Sequence, residues 1–196
     1  IDIKKFPLAP KKDIQQHKLY PQILMIGTLT ANKGQIKGID SFQLLLQDFP
    51  NAKLNLIGEG EDRLAIEQRI KNLNLESNVE VLGLQTNIQD FLNQGSILWQ
   101  LSKTEAMPMA VLESMSIGMP VVGFNVRGIN DAIVDNQTGF LVPYGDIELV
   151  ASKTKIILND PSLYYKFSSN SRKRIIQNYT HDQMIASYEK VMSKLI

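Results

Sequence analysis

The sequence predicts an α/β fold: a parallel sheet of about six strands with helices on both faces, followed by further helices. Three observations carry this. From residue 23 onward, short apolar runs alternate with helix-like segments, the pattern of strands joined by helical crossovers. Three of those runs close on a glycine, at Gly27, Gly58 and Gly83. From Ile147 onward the pattern is helical only.

Ile23-Leu24-Met25-Ile26-Gly27 reads as the first buried strand. Ile39 to Phe49 has helical spacing, and Phe49-Pro50-Asn51 stops it. Leu54-Asn55-Leu56-Ile57-Gly58 is the second strand, followed by a charged helix from about Asp62 to Leu73. Val79 to Leu82 gives the third strand, and a short helix near Ile88–Gln94 leads to the fourth, Ile97 to Leu101. A helix beyond Pro108 precedes the fifth strand, Pro120 to Phe124; the turn Asp135 to Gly139 introduces the last, Phe140 to Val142. Ile147–Leu158, Ser162–Gln177 and Asp182–Leu195 read as helices broken at Asp160-Pro161 and Tyr179-Thr180. Tyr164, Tyr165, Phe167, Tyr179 and Tyr188 are expected to pack there, since aromatic stripes serve cores and interfaces. The whole is a Rossmann-like arrangement, in which ligands bind outside the carboxyl ends of the strands. Gly27, Gly58, Gly83 and the loop holding Glu105 all fall at those ends. Turn chemistry explains any one of these glycines; together they also open space for a ligand.

Composition narrows the function. The 196 residues suffice for one domain with a full core. A formal net charge of +1 argues against a dedicated nucleic-acid binder, which would show a basic face. Cysteine is absent, which excludes disulfides and thiolate metal sites and points to a reducing, cytoplasmic setting. The two histidines, His17 and His181, stand near opposite ends, so neither a zinc site nor a serine-hydrolase site is indicated. No apolar run approaches the roughly 20 residues that span a bilayer. The sequence opens without Met and without a signal-peptide core, which reads as a piece of something longer.

Thr104 to Met115 is the most informative stretch. Glu105 and Glu113 stand with seven residues between them, across Pro108. Proline suits a first helical position, where its missing N–H would be unsatisfied anyway. Val111, Leu112 and Met115 share one face of the helix, with Ala110 and Ile117 on the other side. A helix apolar nearly all round is buried, so Glu113 is expected as a buried carboxylate that needs a partner from elsewhere. Glu105 lies in the preceding loop, beside free backbone N–H groups that attract anions. The spacing alone equally suits an ordinary charge at a helix start; with its surroundings it describes a ligand site.

Taken in order, these segments resemble the C-terminal, donor-binding domain of retaining glycosyltransferases of the GT-B architecture, family 4 (group 1). Gly27-Thr28-Leu29 with Lys33-Gly34 stands where that family carries Gly-Arg-Leu…Lys-Gly. Gly58-Glu59-Gly60 and Val79 to Gly83 match its next two strand ends. Glu105 to Glu113 matches its Glu-x7-Glu motif, Ser116 to Val122 its Ala-x-Gly-x-Pro-Val-Val, and Asp135 to Val142 its Asp-Gly-x-x-Gly-x-Leu-Val turn. The likeness covers about residues 23–158. Ile1 to Pro7 resembles the family's interdomain linker, which implies a linker and leading segment over 1–22, a nucleotide-sugar-binding domain over 23–178, and a terminal helix over 179–196 that packs toward a missing N-terminal acceptor domain.

The resemblance implies a nucleotide-diphosphate sugar as donor, no further cofactor and no metal. It implies a glycan, lipid or other acceptor bound through the N-terminal domain, with room for peripheral association at the inner face of the membrane. The isolated chain is then expected to be inactive in transfer. Residue by residue, Glu105 would lie near the donor sugar as the catalytic carboxylate, and Glu113 would bind the ribose hydroxyls. Gly27, Thr28 and Gly58 would line the donor site, and backbone N–H groups around Met107, Pro108, Met109 and Ala110 would face the sugar and diphosphate. Lys33 would neutralise the leaving group, with Lys37 as the competing register, and Leu84 would lie beside the base. Three departures stand out: Thr28 replaces the family's phosphate-binding Arg, Ala106 replaces a Gly, and Arg127-Gly128 replaces Gly-Gly. Two rival readings remain: a sugar-nucleotide epimerase of related shape, and a catalytically degenerate nucleotide-binding module, for which Thr28 speaks.

Overall fold

A computed structural model describes residues 1–9 and 14–193 of the chain. The last turn expected to reach Leu195, and part of the leading segment over 1–22, lie outside the described residues. Six parallel strands form a single sheet: β1 Gln22–Ile26, β2 Lys53–Ile57, β3 Val79–Gly83, β4 Ile97–Gln100, β5 Val121–Phe124 and β6 Gly139–Val142. Their order across the sheet is β3-β2-β1-β4-β5-β6. The chain therefore winds outward one way from β1 to β3, then returns to β4 on the other side of β1. Central strands are buried on both faces, which is why they read as unbroken apolar runs rather than alternating ones.

The helices between strands cover both faces. α1 is Ile14–Leu19, α2 Gln35–Leu45, α3 Arg63–Asn72, α4 Ile88–Gln94, α5 Met109–Ser116, α6 Ile129–Ala132, α7 Ile147–Asn159, α8 Pro161–Asn178 and α9 His181–Met192. On one face Ile39, Phe42 and Leu45 of α2, Ile66 and Ile70 of α3 and Val150 and Ile157 of α7 pack against Ile23, Met25, Leu54, Leu56 and Trp99. The indole N–H of Trp99 donates to Thr154 Oγ1 at 2.8 Å, so the largest core side chain keeps its polar atom satisfied. On the other face Val111, Leu112 and Met115 of α5 pack with Leu24, Leu98 and Val121. α8 serves both, with Phe167 in the first cluster and Ile175 in the second.

Some boundaries differ from expectation for physical reasons. α2 begins at Gln35 rather than Ile39 and ends before Phe49, because Gly34, at φ 76°, lets the chain turn directly from a 3-10 turn into the helix. α1 and the four-residue α6 have no sequence signal long enough to mark them. Tyr164 and Phe167 are buried as expected, but Tyr165 and Tyr188 are exposed; α8 buries one side only, and α9 buries no residue. Residues 1–9, expected as a linker, lie against the second cluster through Ile1 and Phe6. Arg172 Nη1 holds them there, donating to Phe6 O at 2.7 Å and Ser116 O at 2.6 Å. Among the described residues no helix is long and apolar enough to cross a membrane.

Candidate donor-binding site

The loops after β1 and β4 meet, because those strands are neighbours where the strand order reverses, the place at which open α/β sheets bind ligands. Three contacts fix the meeting. Lys103 N donates to Asn32 O at 2.7 Å, and Asn32 Nδ2 to Thr104 O at 3.3 Å. Gly34 lies so near Leu101 that an added Cβ would sit 2.1 Å from the Leu101 carbonyl oxygen. Only glycine permits that approach, and the approach places Lys33 beside Glu105.

Lys33 Nζ donates to Glu105 Oε1 at 2.6 Å. The same oxygen accepts from Ser102 Oγ at 2.6 Å and from Gln100 Nε2 at 2.9 Å. The stem of Lys33 runs over Gly27, in van der Waals range of where a Cβ would stand. Lys37 goes elsewhere: its ammonium lies 5.4 Å from the ring centroid of Tyr144. Thr28 is exposed, and its carbonyl accepts from the buried amide of Gln35 at 2.9 Å. Gly58 backs the β1 loop so closely that a Cβ there would lie 2.0 Å from Gly27 O. Ile26, Gly27, Thr28, Gly58, Glu59 and Leu84 with their neighbours line a cleft of about 190 Å³. Leu84 is 78% exposed at its rim.

α5 starts one residue later than expected. Pro108 is its N-cap rather than its first helical residue, and no side chain caps the helix. Val111 N and Leu112 N close on Pro108 O at 3.0 and 3.1 Å, leaving the N–H groups of Met109 and Ala110 without a backbone acceptor, as a helix start does. Met107 and Met109 turn their side chains to solvent. Glu113 is half-buried rather than buried. Burial pushes its carboxyl above the ordinary value, and the charges of Lys5 and the N-terminal amine partly oppose that.

The structure thus brings Lys33, Glu105 and Gly27 together, a few residues ahead of the start of α5, and sets Lys37 apart. Sequence reasoning missed Gln100, Ser102 and Gln35. Gln100 ends an otherwise apolar strand, Ser102 lies in the loop after it and Gln35 opens α2, and only the strand order shows what they face. A larger polar groove of about 470 Å³ lies at the amino ends of β1–β3, lined by Gln22, Asn55, Asn78 and others, and contains none of the expected site residues.

Comparison with known proteins shows where this sequence and fold recur. The family model described as "Glycosyl transferases group 1" matches residues 10–174. The chain is 31% identical over 141 residues to N-acetyl-alpha-D-glucosaminyl L-malate synthase of Bacillus anthracis, covering 72% of this chain and 37% of that protein. It therefore spans well under half of that relative's length. The crystal structure of an S. aureus TarM variant with fondaparinux, alpha-GlcNAc-glycerol and UDP superposes with a TM-score of 0.84, at 25% identity, over 94% of this chain and 37% of that one. The C-terminal domain of the Francisella tularensis group 1 protein LpcC shares the fold, with a TM-score of 0.80 at 23% identity, over 92% of this chain and 99% of that one. With a family model matched across both strand-end loops and the two-glutamate helix, this chain belongs to the group 1 glycosyl transferases.

Proposed function

We propose that this chain is the donor-binding half of a retaining family 4 glycosyltransferase. It holds a nucleoside-diphosphate sugar at the carboxyl ends of β1 and β4 and presents the sugar to a glycan or lipid acceptor bound by a further domain. The observation that carries this reading is the Lys33–Glu105 pair in the loops that lead to the uncapped start of α5. As the glycosidic bond breaks, negative charge builds on the diphosphate. An ammonium and unsatisfied backbone N–H groups are the means to stabilise it. We assign that task to Lys33 with the N–H groups of Met109 and Ala110, rather than to a bound metal.

The other parts follow from placement. Glu113 accepts the ribose hydroxyls, a pairing that compensates a half-buried carboxylate. The cleft between Gly27, Gly58 and Leu84 receives the base. Exposed Met184, Ile185, Tyr188 and Val191 make an apolar face on α9, on which the acceptor domain rests. With a lipid acceptor, the whole protein works at the inner face of a membrane.

Calorimetric titration of residues 1–196 with UDP, GDP and ADP tests the reading, UDP first because the TarM structure contains it. One nucleoside diphosphate is expected to bind, while transfer from its sugar nucleotide by this chain alone stays undetectable. If none of the three binds, the assignment of the site is wrong. Efficient transfer by residues 1–196 would instead overturn the division of labour between two domains.

A further inference from the structure

The structure assigns to Gln100 and Ser102, on the reading that this site holds a sugar nucleotide, the role of positioning residues that keep Glu105 in place when Lys33 turns to the diphosphate. Gln100 ends β4 after the buried apolar residues Ile97, Leu98 and Trp99. It is only 5% exposed and Ser102 is fully buried. Gln100 Nε2 divides its two hydrogens, one to Ser102 Oγ at 2.8 Å and one to Glu105 Oε1 at 2.9 Å. Ser102 Oγ accepts the first and donates to Glu105 Oε1 at 2.6 Å. The three side chains close a triangle in which every hydrogen has an acceptor.

Lys33 is then a third donor on one carboxylate oxygen. About two lone-pair sites per carboxylate oxygen are available, so three donors exceed what Oε1 needs. One can leave without stranding the charge. Lys33 is the one free to go: its side chain is long and 25% exposed, whereas Gln100 and Ser102 are fixed at the buried strand end. Among the described residues Oε2 of Glu105 has no partner, which leaves it for a sugar hydroxyl. The clamp therefore acts on the sugar and not on the nucleotide.

That difference is the test. Gln100→Met keeps the length of the side chain and removes its hydrogen-bonding atoms; Ser102→Ala removes one oxygen and serves if the first variant fails to fold. Each is titrated with UDP, UDP-glucose and UDP-N-acetylglucosamine, beside wild type. The expected result is a Kd for the bound sugar nucleotide raised about tenfold, equivalent to about 1.4 kcal/mol, with UDP changed less than about twofold. Equal losses for UDP and sugar nucleotide, or no loss for either, would overturn the positioning role. Wild type that binds none of the three overturns the donor-site reading itself. The clamp is then still decided by melting temperatures of Gln100→Met, Glu105→Gln and the double variant. Non-additive shifts support contact between the two side chains, and additive shifts refute it.

Discussion

With Glu113 proposed as the ribose ligand, stability and binding pull in opposite directions at this residue. Its carboxyl titrates above the ordinary value of 4.5 because of burial. The native state therefore holds this proton more tightly than the unfolded chain does. By linkage, stability falls as pH rises from the ordinary value through the raised one, and the deficit persists above it. Glu113→Gln removes the deficit. Its melting temperature should exceed wild type at pH 7, and the gap should vanish below the ordinary carboxylate range. Nucleotide affinity should meanwhile drop by about 1.5–3 kcal/mol, and far less for a 2′,3′-dideoxy analogue. A lower melting temperature at pH 7 would show that the carboxylate has a structural partner. For the lysines, Lys33→Ala should weaken nucleoside diphosphate binding about tenfold or more and leave the uncharged nucleoside unaffected. Lys37→Ala should change neither, because its ammonium sits over Tyr144. A diphosphate-selective loss in Lys37→Ala alone would reverse the assignment.

At the level of elements, the strands were the most legible parts, since buried parallel strands are runs such as Ile23 to Ile26 and Ile97 to Trp99 whatever their neighbours. The two-glutamate helix was legible through its motif. Less legible were features that depend on a partner distant in sequence. Arg172 is an example. In the sequence it is one cation in the Arg172-Lys173-Arg174 run of α8, yet its guanidinium joins Phe6 O to both Ser116 O and Ser116 Oγ, and burial lowers its pKa. Arg172→Ala should cost about 1.5–3 kcal/mol and expose residues 1–9 to limited proteolysis before the sheet unfolds. Cleavage of the leading segment at the wild-type rate would mean that Ile1 and Phe6 hold it without the arginine.

At the scale of the whole molecule, the site exists because β4 returns to the side of β1 opposite β2. The sequence placed Glu105 and Lys33 in loops after strands, but no local pattern states which strands are neighbours, so nothing singled out Gln100 or Ser102. The same architecture brings the two margins of the domain together. The amine of Ile1 donates to Tyr179 O at 2.6 Å, and His181 N to Ile1 O at 3.3 Å, so residue 1 and the start of α9 meet at one clasp on the surface. Tension applied between residue 1 and α9 would load this clasp and leave the six strands unstrained. The clasp would open like a zip, bond by bond, while the sheet and the loops holding Lys33 and Glu105 stayed intact. Polypeptide fused before residue 1 would leave the domain beside the start of α9.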